Sequence, residues 1–181
     1  MPPSTKGAVS LRVLLASLNA KYVHTNLAIR YLREETRTEF PDTLMLEFTI
    51  NQSVAQIAAE IFEAKADVIG FSCYIWNLTR TLAVIRWLRP VCPEKRFVLG
   101  GPEVSYETEQ LMRDNPEIDA VVMGEGEQAF PEILRACPIS TGRMLSSFST
   151  TSLDNPGILA KLQFSGILIL SKAAWRSTSF C

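Results

Sequence analysis

Short apolar runs alternate with stretches of helical periodicity five times between residues 11 and 136, and this alternation most constrains how the chain folds. A short, fully apolar run is typical of a strand buried on both faces, whereas apolar residues at i, i+3, i+4 and i+7 indicate an amphipathic helix. The strand candidates are Leu11–Ser17, Leu44–Thr49, Asp67–Cys73, Arg96–Leu99 and Ile118–Met123. The helix candidates are Thr25–Glu35, Ser53–Ala64, a helix from Asn77 that ends before Pro90, Tyr106–Arg113, and a helix after Glu127. This order predicts an α/β fold with a five-stranded parallel sheet covered by helices on both sides.

Local signals mark the helices. Ser53 and Gln56 have the spacing of a capping box, and Asn77 is a candidate N-cap. In the first helix, the predicted inward stripe comprises Ala28, Tyr31, Leu32 and Glu35.

Composition divides the chain into three parts. Residues 1–10 are polar, contain two prolines and are predicted to form a disordered tail, and the apolar stretch that follows is too short and too interrupted by Arg12 for a signal peptide. Residues 137–181 contain a single acidic residue, Asp154, alongside thirteen Ser and Thr. We therefore predict one organised domain over 11–136, followed by an appendage of uncertain structure over 137–181.

Charge and cysteine content limit the partners. The formal net charge of -1 gives no field that would attract nucleic acid or an anionic membrane, so neither is expected as a partner. No apolar run reaches the length of a membrane span. The four cysteines form no C-x-x-C pair and no disulfide framework, which favours reduced thiols and a cytoplasmic location.

The loops that follow the strands are where a ligand site is expected. In a doubly wound sheet, the crevice beyond the carboxyl ends of the strands binds ligands. Gly100 and Gly101 follow one strand, and Gly124 and Gly126 follow the next. Paired glycines also make tight turns, but two pairs on adjacent loops favour close approach of a ligand to the main chain. The chain lacks both the P-loop pattern and the G-x-G-x-x-G of a dinucleotide site.

Four segments together resemble a known family. They are Leu18-Asn19-Ala20-Lys21-Tyr22-Val23-His24-Thr25-Asn26-Leu27-Ala28, Ile69-Gly70-Phe71-Ser72-Cys73-Tyr74-Ile75-Trp76-Asn77, Val98-Leu99-Gly100-Gly101-Pro102-Glu103-Val104-Ser105 and Val122-Met123-Gly124-Glu125-Gly126-Glu127. They resemble the N-terminal cobalamin-binding domain of cobalamin-dependent radical SAM proteins. The resemblance covers residues 11 to about 136 and implies a flavodoxin-like, Rossmann-type doubly wound sheet. The corrin would lie over the strand ends, and the nucleotide tail would enter the crevice.

The same resemblance implies a set of cofactor-binding residues. Ser72 and the Gly100–Gly101 pair would line the tail pocket, while the loops around Tyr74 to Asn77, Glu103 and Gly124 to Glu127 would lie near the corrin. The full set is Asn19, Tyr22, Ser72, Tyr74, Trp76, Asn77, Gly100, Gly101, Pro102, Glu103, Gly124, Glu125 and Gly126.

His24 is the only histidine and stands where other cobalamin-binding proteins carry the cobalt-ligating histidine of D-x-H-x-x-G. Tyr22 occupies the position of the Asp and Leu27 that of the Gly, so the carboxylate that orients such an imidazole is missing from this motif. We therefore predict that His24 does not bind cobalt and that this chain has no protein metal ligand.

A radical SAM core needs three cysteines, typically C-x-x-x-C-x-x-C, to hold an iron–sulfur cluster, and this sequence lacks them. We expect no iron–sulfur cluster and no catalysis by this chain alone, with any radical SAM core supplied by another chain. Because the composition changes after Ala136, we expect a truncated or frame-shifted gene product.

Two alternatives to a cobalamin module remain. One is a flavodoxin-like domain that binds a flavin or acts as a receiver, although a receiver needs paired acidic residues where this chain has Asn19 and Lys21. The other is a non-functional remnant that exposes an apolar tail.

Overall fold

The structure, a computed structural model, describes residues 11–21 and 25–136, together with the backbone of 150–152, 160–164 and 167–171. Five strands and five helices alternate along its main part. The strands are β1 (Val13–Asn19), β2 (Leu44–Thr49), β3 (Val68–Ser72), β4 (Arg96–Gly100) and β5 (Ala120–Met123). The helices are α1 (Leu27–Thr36), α2 (Val54–Glu63), α3 (Leu78–Leu88), α4 (Thr108–Asp114) and α5 (Gly126–Ala136), and a 3₁₀ turn covers Pro102–Val104.

The five strands are parallel and lie in the order β2-β1-β3-β4-β5. This is the flavodoxin-like order, so the predicted doubly wound α/β fold is confirmed. The chain leaves β1 towards β2 on one side and returns at β3 on the other, which creates the topological switch point where such sheets bind ligands.

Three antiparallel strands extend the sheet beyond β5. They are β6 (Thr150–Ser152), β7 (Ala160–Phe164) and β8 (Ile167–Ser171), in the order β5-β8-β7-β6. β8 pairs with β5, with Val122 opposite Ile169. The sequence did not predict these strands, while the boundaries of the three predicted parts of the chain stay a prediction.

Side chains alternate between two apolar layers because successive strand residues point to opposite faces of a sheet. Leu14, Phe71 and Leu99 pack beneath α2, α3 and α4 on one face. Leu15 and Val98 pack beneath α1 and α5 on the other. No helix within the described residues has the length and apolar character needed to cross a bilayer.

Several local predictions can be compared with the helices. The capping box of α2 is confirmed, since the Gln56 amide donates to Ser53 Oγ at 3.2 Å and the Ser53 amide donates to Gln56 Oε1 at 3.3 Å. The predicted inward stripe of α1 is wrong at Tyr31, which is 59% exposed, and at Glu35, which is also exposed, whereas Ile29 and Thr36 are buried. Asn77 does stand at the N-cap of α3, but its side chain makes no cap hydrogen bond.

Candidate functional site

A cavity of about 160 Å³ lies at the carboxyl edge of the sheet, between the strands and helices α1 and α5. Its lining includes Gly70, Ser72, Gly100 and Val122 from the sheet, Ala28 and Leu32 from α1, and Phe130 from α5. Most of the lining is apolar, and the hydroxyl of Ser72 adds a polar group. The cavity therefore has the character of a small-molecule site, a mostly apolar cleft with few polar groups.

Glycines on neighbouring strands shape this cavity. A Cβ atom at Gly70 would lie 3.1 Å from the ring of Phe130 and 3.2 Å from Leu15, so glycine there lets α5 pack close to the sheet. A Cβ atom at Gly100 would meet only Val122, at an ordinary 3.7 Å. Gly100 therefore keeps volume open that a larger side chain would fill.

The loop after β4 requires glycine for a different reason. Gly101 has a φ of 114°, and a Cβ atom there would lie 2.4 Å from the carbonyl oxygen of Cys73. The Cys73 amide also donates to the Gly100 carbonyl at 2.7 Å. The ends of β3 and β4 are thus held together by a contact that only glycine permits.

Asn77 fixes the loop that follows β3. Its Nδ2 donates to the carbonyls of Leu18 and Ser72 at 3.0 Å each, and its Oδ1 accepts from the Tyr74 amide at 2.8 Å. The side chain is fully buried. Asn77 therefore ties β1 to β3 across the switch point instead of facing the cavity.

Apolar side chains are exposed on the loop beyond the end of β3. The rings of Tyr74 and Trp76 stack with centroids 4.6 Å apart, and Ile75 between them is 77% exposed. Gly124, with a φ of 87°, has no atom within 4 Å of the position of a Cβ atom. This edge of the molecule therefore combines exposed aromatic faces with open main chain.

Buried polar side chains border the cavity beneath the start of α1. Asn26 Nδ2 donates to Ser17 Oγ at 2.7 Å and to Ser72 Oγ at 3.2 Å. Ser17 Oγ donates to Asn19 Oδ1 at 3.0 Å, and Asn19 Nδ2 donates to Glu47 Oε2 at 2.9 Å. The polar side of the cavity is thus the end of a hydrogen-bonded chain that crosses β1.

Seven of the residues named from the sequence line the cavity: Ser72, Tyr74, Gly100, Gly101, Pro102, Gly124 and Gly126. Another five do not line it: Asn19, Trp76, Asn77, Glu103 and Glu125. Tyr22 and His24 lie outside the described residues.

Sequence reasoning did not single out two residues that matter here. Gly70 lies inside an apolar strand, where a glycine signals a bulge or a close approach of other atoms to the backbone. Asn26 stands immediately before α1, the position of an N-cap. Both signals were present in the sequence, but neither reveals which side chain lies opposite.

The cysteines within the described residues are poor ligands. Burial raises the pKa of the Cys73 thiol far above its usual value, and burial also raises that of Cys92. Across the described residues, no three His, Cys, Asp or Glu side chains lie close enough together to hold a metal ion.

Fold and cavity together define a domain of the doubly wound α/β class with a candidate ligand site at the switch point. The family model described as the B12 binding domain matches residues 13–134. The chain belongs to this family of B12-binding domains.

Partial relatives share this region. The chain is 38% identical over 81 residues to 2-(S-pantetheinyl)-carbapenam-3-carboxylate methyltransferase of Streptantibioticus cattleyicolor, covering 45% of this chain and 12% of that protein. It is 37% identical over 70 residues to the cobalamin-dependent radical SAM methyltransferase TokK of Streptomyces tokunonensis, covering 39% and 10%. The match thus spans only about a tenth of each of these relatives.

Solved structures share the fold. A cobalamin-binding protein from Desulfitobacterium hafniense superposes with a TM-score of 0.52 at 15% identity, covering 70% of this chain and 58% of that one. The response regulator RcsB from Salmonella typhimurium gives 0.51 at 11% identity, covering 76% and 63%. At such identities, the likeness speaks for the flavodoxin-like fold alone.

Proposed function

We propose that this chain is a cobalamin-binding module that takes the nucleotide tail of the cofactor into the cavity beneath α1 and α5 and holds the corrin over the strand ends. The observation that carries this proposal is the glycine-floored cavity at the switch point, in a chain that belongs to the B12-binding family.

The size of the cavity fits the tail. A buried cavity of about 150 Å³ is known to hold a benzene ring. The cavity of about 160 Å³ here, which opens towards the strand ends, has room for a flat aromatic base but not for a corrin. The tail base therefore occupies the cavity and the macrocycle stays outside it.

The surface beyond the strands fits the corrin. A corrin is a broad, mostly apolar ring with amides at its rim. The stacked pair of Tyr74 and Trp76 offers flat apolar faces, and the open main chain at Gly124 allows close approach. Trp76, Glu103 and Glu125, which lie outside the cavity lining, are assigned to this outer surface.

The radical SAM context is part of the proposal. One of the partial relatives is a cobalamin-dependent radical SAM methyltransferase. We assign cobalamin binding to residues 13–134 and any iron–sulfur chemistry to a radical SAM core, which would need a cysteine triplet that these residues do not contain. Bound cobalamin would supply a cobalt centre for group transfer, and the residues described here would bind and orient it.

The test uses the full chain with hydroxocobalamin. After free ligand is removed by gel filtration, we expect corrin absorbance to stay with the protein, whereas a flavin mononucleotide treated in the same way should not be retained. Protein that elutes without corrin, or that retains the flavin instead, contradicts the proposal.

Gly100→Val probes the tail pocket. Its Cβ fits at 3.7 Å from Val122, and the added methyl groups fill the cavity. Cobalamin affinity should fall by at least about tenfold, because the methyl groups would occupy volume that the tail base needs, and a base kept out of the cavity loses its buried contacts. Cobinamide, which has no nucleotide tail, is the matched control and should bind the variant and the natural protein alike. Equal losses for both ligands would place the tail elsewhere.

His24 is tested by spectroscopy. Since we propose that it does not bind cobalt, His24→Ala should leave the positions of the visible bands of bound cobalamin unchanged. A shift in those bands would assign the lower cobalt ligand to His24 instead.

A further inference from the structure

In the series of side-chain hydrogen bonds beside the cavity, which donor and which acceptor each bond uses is fixed. The first fixed point of this series is Asn26, the N-cap of α1. The Ile29 amide donates to Asn26 Oδ1 at 3.3 Å. A backbone N–H can only donate, so the side-chain oxygen of Asn26 must face the helix. Its NH₂ group therefore faces the hydroxyls of Ser17 and Ser72.

At the other end of this series of hydrogen bonds, the contacts of Asn19 and Glu47 fix the same donors and acceptors independently. Asn19 Nδ2 donates to Glu47 Oε2 at 2.9 Å, and Arg30 lies 3.5 Å from the other carboxylate oxygen. Because an ionised carboxylate only accepts, the Asn19 amide turns its oxygen towards Ser17. Ser17 Oγ then donates to Asn19 and accepts from Asn26, which agrees with the direction set at α1.

The consequence falls on Ser72, which lines the cavity. Its Oγ accepts from Asn26 Nδ2 at 3.2 Å, and no acceptor for its own hydrogen is found within the described part of the chain. A hydroxyl that already accepts from a buried amide directs its hydrogen elsewhere, and the open side here is the cavity. Ser72 therefore presents a hydrogen-bond donor to whatever occupies that space.

We propose that Asn26 is a positioning residue that makes Ser72 a donor, so that the cavity selects a tail base with an unprotonated ring nitrogen over a ring of similar shape without one. This selectivity rests on the proposed function, because it concerns the base of a bound corrinoid. A site built to pair with a ligand group discriminates against a ligand that lacks it, since the buried donor is then left without a partner.

The experiment compares two probes on the full chain. Cobalamin carries a benzimidazole base with a ring nitrogen, and phenolyl cobamide carries a phenolic ring without one. The quantity measured is the ratio of the dissociation constant for phenolyl cobamide to that for cobalamin. The cost of detaching the base from cobalt in free cobalamin is the same for every variant, so changes in this ratio report only on the cavity.

Asn26→Asp is the informative variant. The carboxylate keeps the cap on Ile29 but replaces the NH₂ group by an acceptor, so Ser72 turns its hydrogen towards residue 26. Ser72→Ala removes the donor outright. We expect each variant to lower the ratio by roughly tenfold, the loss of one buried hydrogen bond. Asn115→Asp is the matched control, because Asn115 is also buried but follows α4, on the opposite face of the sheet, and it should leave the ratio unchanged.

The outcomes separate this inference from the proposed function. If the variants weaken binding of both probes by the same factor, Asn26 has only a structural role and the inference is overturned while cobalamin binding stands. The inference is likewise overturned if Ser72→Ala leaves the ratio unchanged. If the natural protein retains neither corrinoid, both the proposed function and the inference fail.

Discussion

At the scale of single residues, two glycines with positive φ differ in what surrounds them. Gly101 has a φ of 114°, and a Cβ atom there would lie 2.4 Å from the carbonyl oxygen of Cys73. Gly124 has a φ of 87°, and a Cβ atom there would have no atom within 4 Å. Backbone conformation alone therefore favours glycine at Gly124, while conformation and steric exclusion both require it at Gly101.

The two glycines predict different costs for the same substitution. Gly124→Ala should lower the free energy of unfolding by about 1 kcal/mol, the cost of a left-handed backbone for an L-residue. Gly101→Ala should lower it by more than about 2 kcal/mol, because the ends of β3 and β4 must also separate. Chemical denaturation of both variants measures the difference. Equal costs would mean that the close approach of Gly101 to Cys73 does not contribute.

At the scale of elements, the sequence predicted the five parallel strands because several are continuous apolar runs and all alternate with stretches of helical periodicity. β1 and β3 are buried along their whole length, so burial and hydrophobicity coincide. The capping box of α2 was also predictable, because Ser53 and Gln56 are only three residues apart in the sequence. The stripe of α1 was predicted about one residue away from the true inward face, because an amphipathic pattern in a short helix tolerates such a rotation.

The cavity was predictable only in part. The glycine loops that end β4 and β5 mark its rim from the sequence alone. The depth of the cavity depends on the contact between Gly70 and Phe130. These residues lie far apart in the sequence, so only the folded chain reveals the contact. The direction of the hydrogen bonds at the Ser72 hydroxyl depends in the same way on Asn26, and the direction of the bonds beyond it depends on Glu47. These residues come from different elements. A pattern of residue types does not carry such relations.

The pairing of β8 with β5 makes a prediction at this scale. Because β8 lies between β5 and β7, Ile169→Pro removes a backbone donor from the ladder whichever neighbour it serves. Amide exchange in Ala120–Met123 should become faster by about tenfold or more, since a strand hydrogen bond contributes about 0.5–1.5 kcal/mol and neighbouring bonds open with it. Hydrogen exchange with mass spectrometry measures this. β1, distant in the strand order, serves as the internal control, and unchanged exchange in β5 would contradict the pairing.

At the scale of the whole molecule, the proposed ligand would add contacts to two helices, α1 and α5, that already share one apolar cluster. The cavity contacts α1, α5 and four strands, β1, β3, β4 and β5, at once. Arg135 of α5 also pairs with Glu39, which follows α1, and the hydrogen bond from Arg135 lowers the pKa of Glu39. Both side chains of that pair are substantially exposed, so its contribution to stability is small. A tail base in the cavity would add buried contacts to both helices.

Ligand binding should therefore raise the melting temperature in a way that depends on the tail. A ligand that binds only the folded state stabilises it by RT ln(1 + [L]/Kd), about 2.7 kcal/mol at a concentration of 100 Kd. For a domain of this size, each kcal/mol corresponds to about 2–4 °C, so cobalamin at that concentration should raise the melting temperature by about 5–10 °C. Each tenfold loss of affinity removes about 1.4 kcal/mol, or roughly 3–6 °C, at the same ligand concentration.

Gly100→Val should therefore melt about 3–6 °C lower than the natural protein when cobalamin is present at that fixed concentration. The difference between the two ligand-free proteins is first subtracted. Cobinamide should raise the melting temperature of both proteins equally. Thermal unfolding followed by circular dichroism measures these shifts. If cobalamin shifts the variant as much as it shifts the natural protein, the stabilising contacts come from the corrin alone, and the cavity is not where the tail binds.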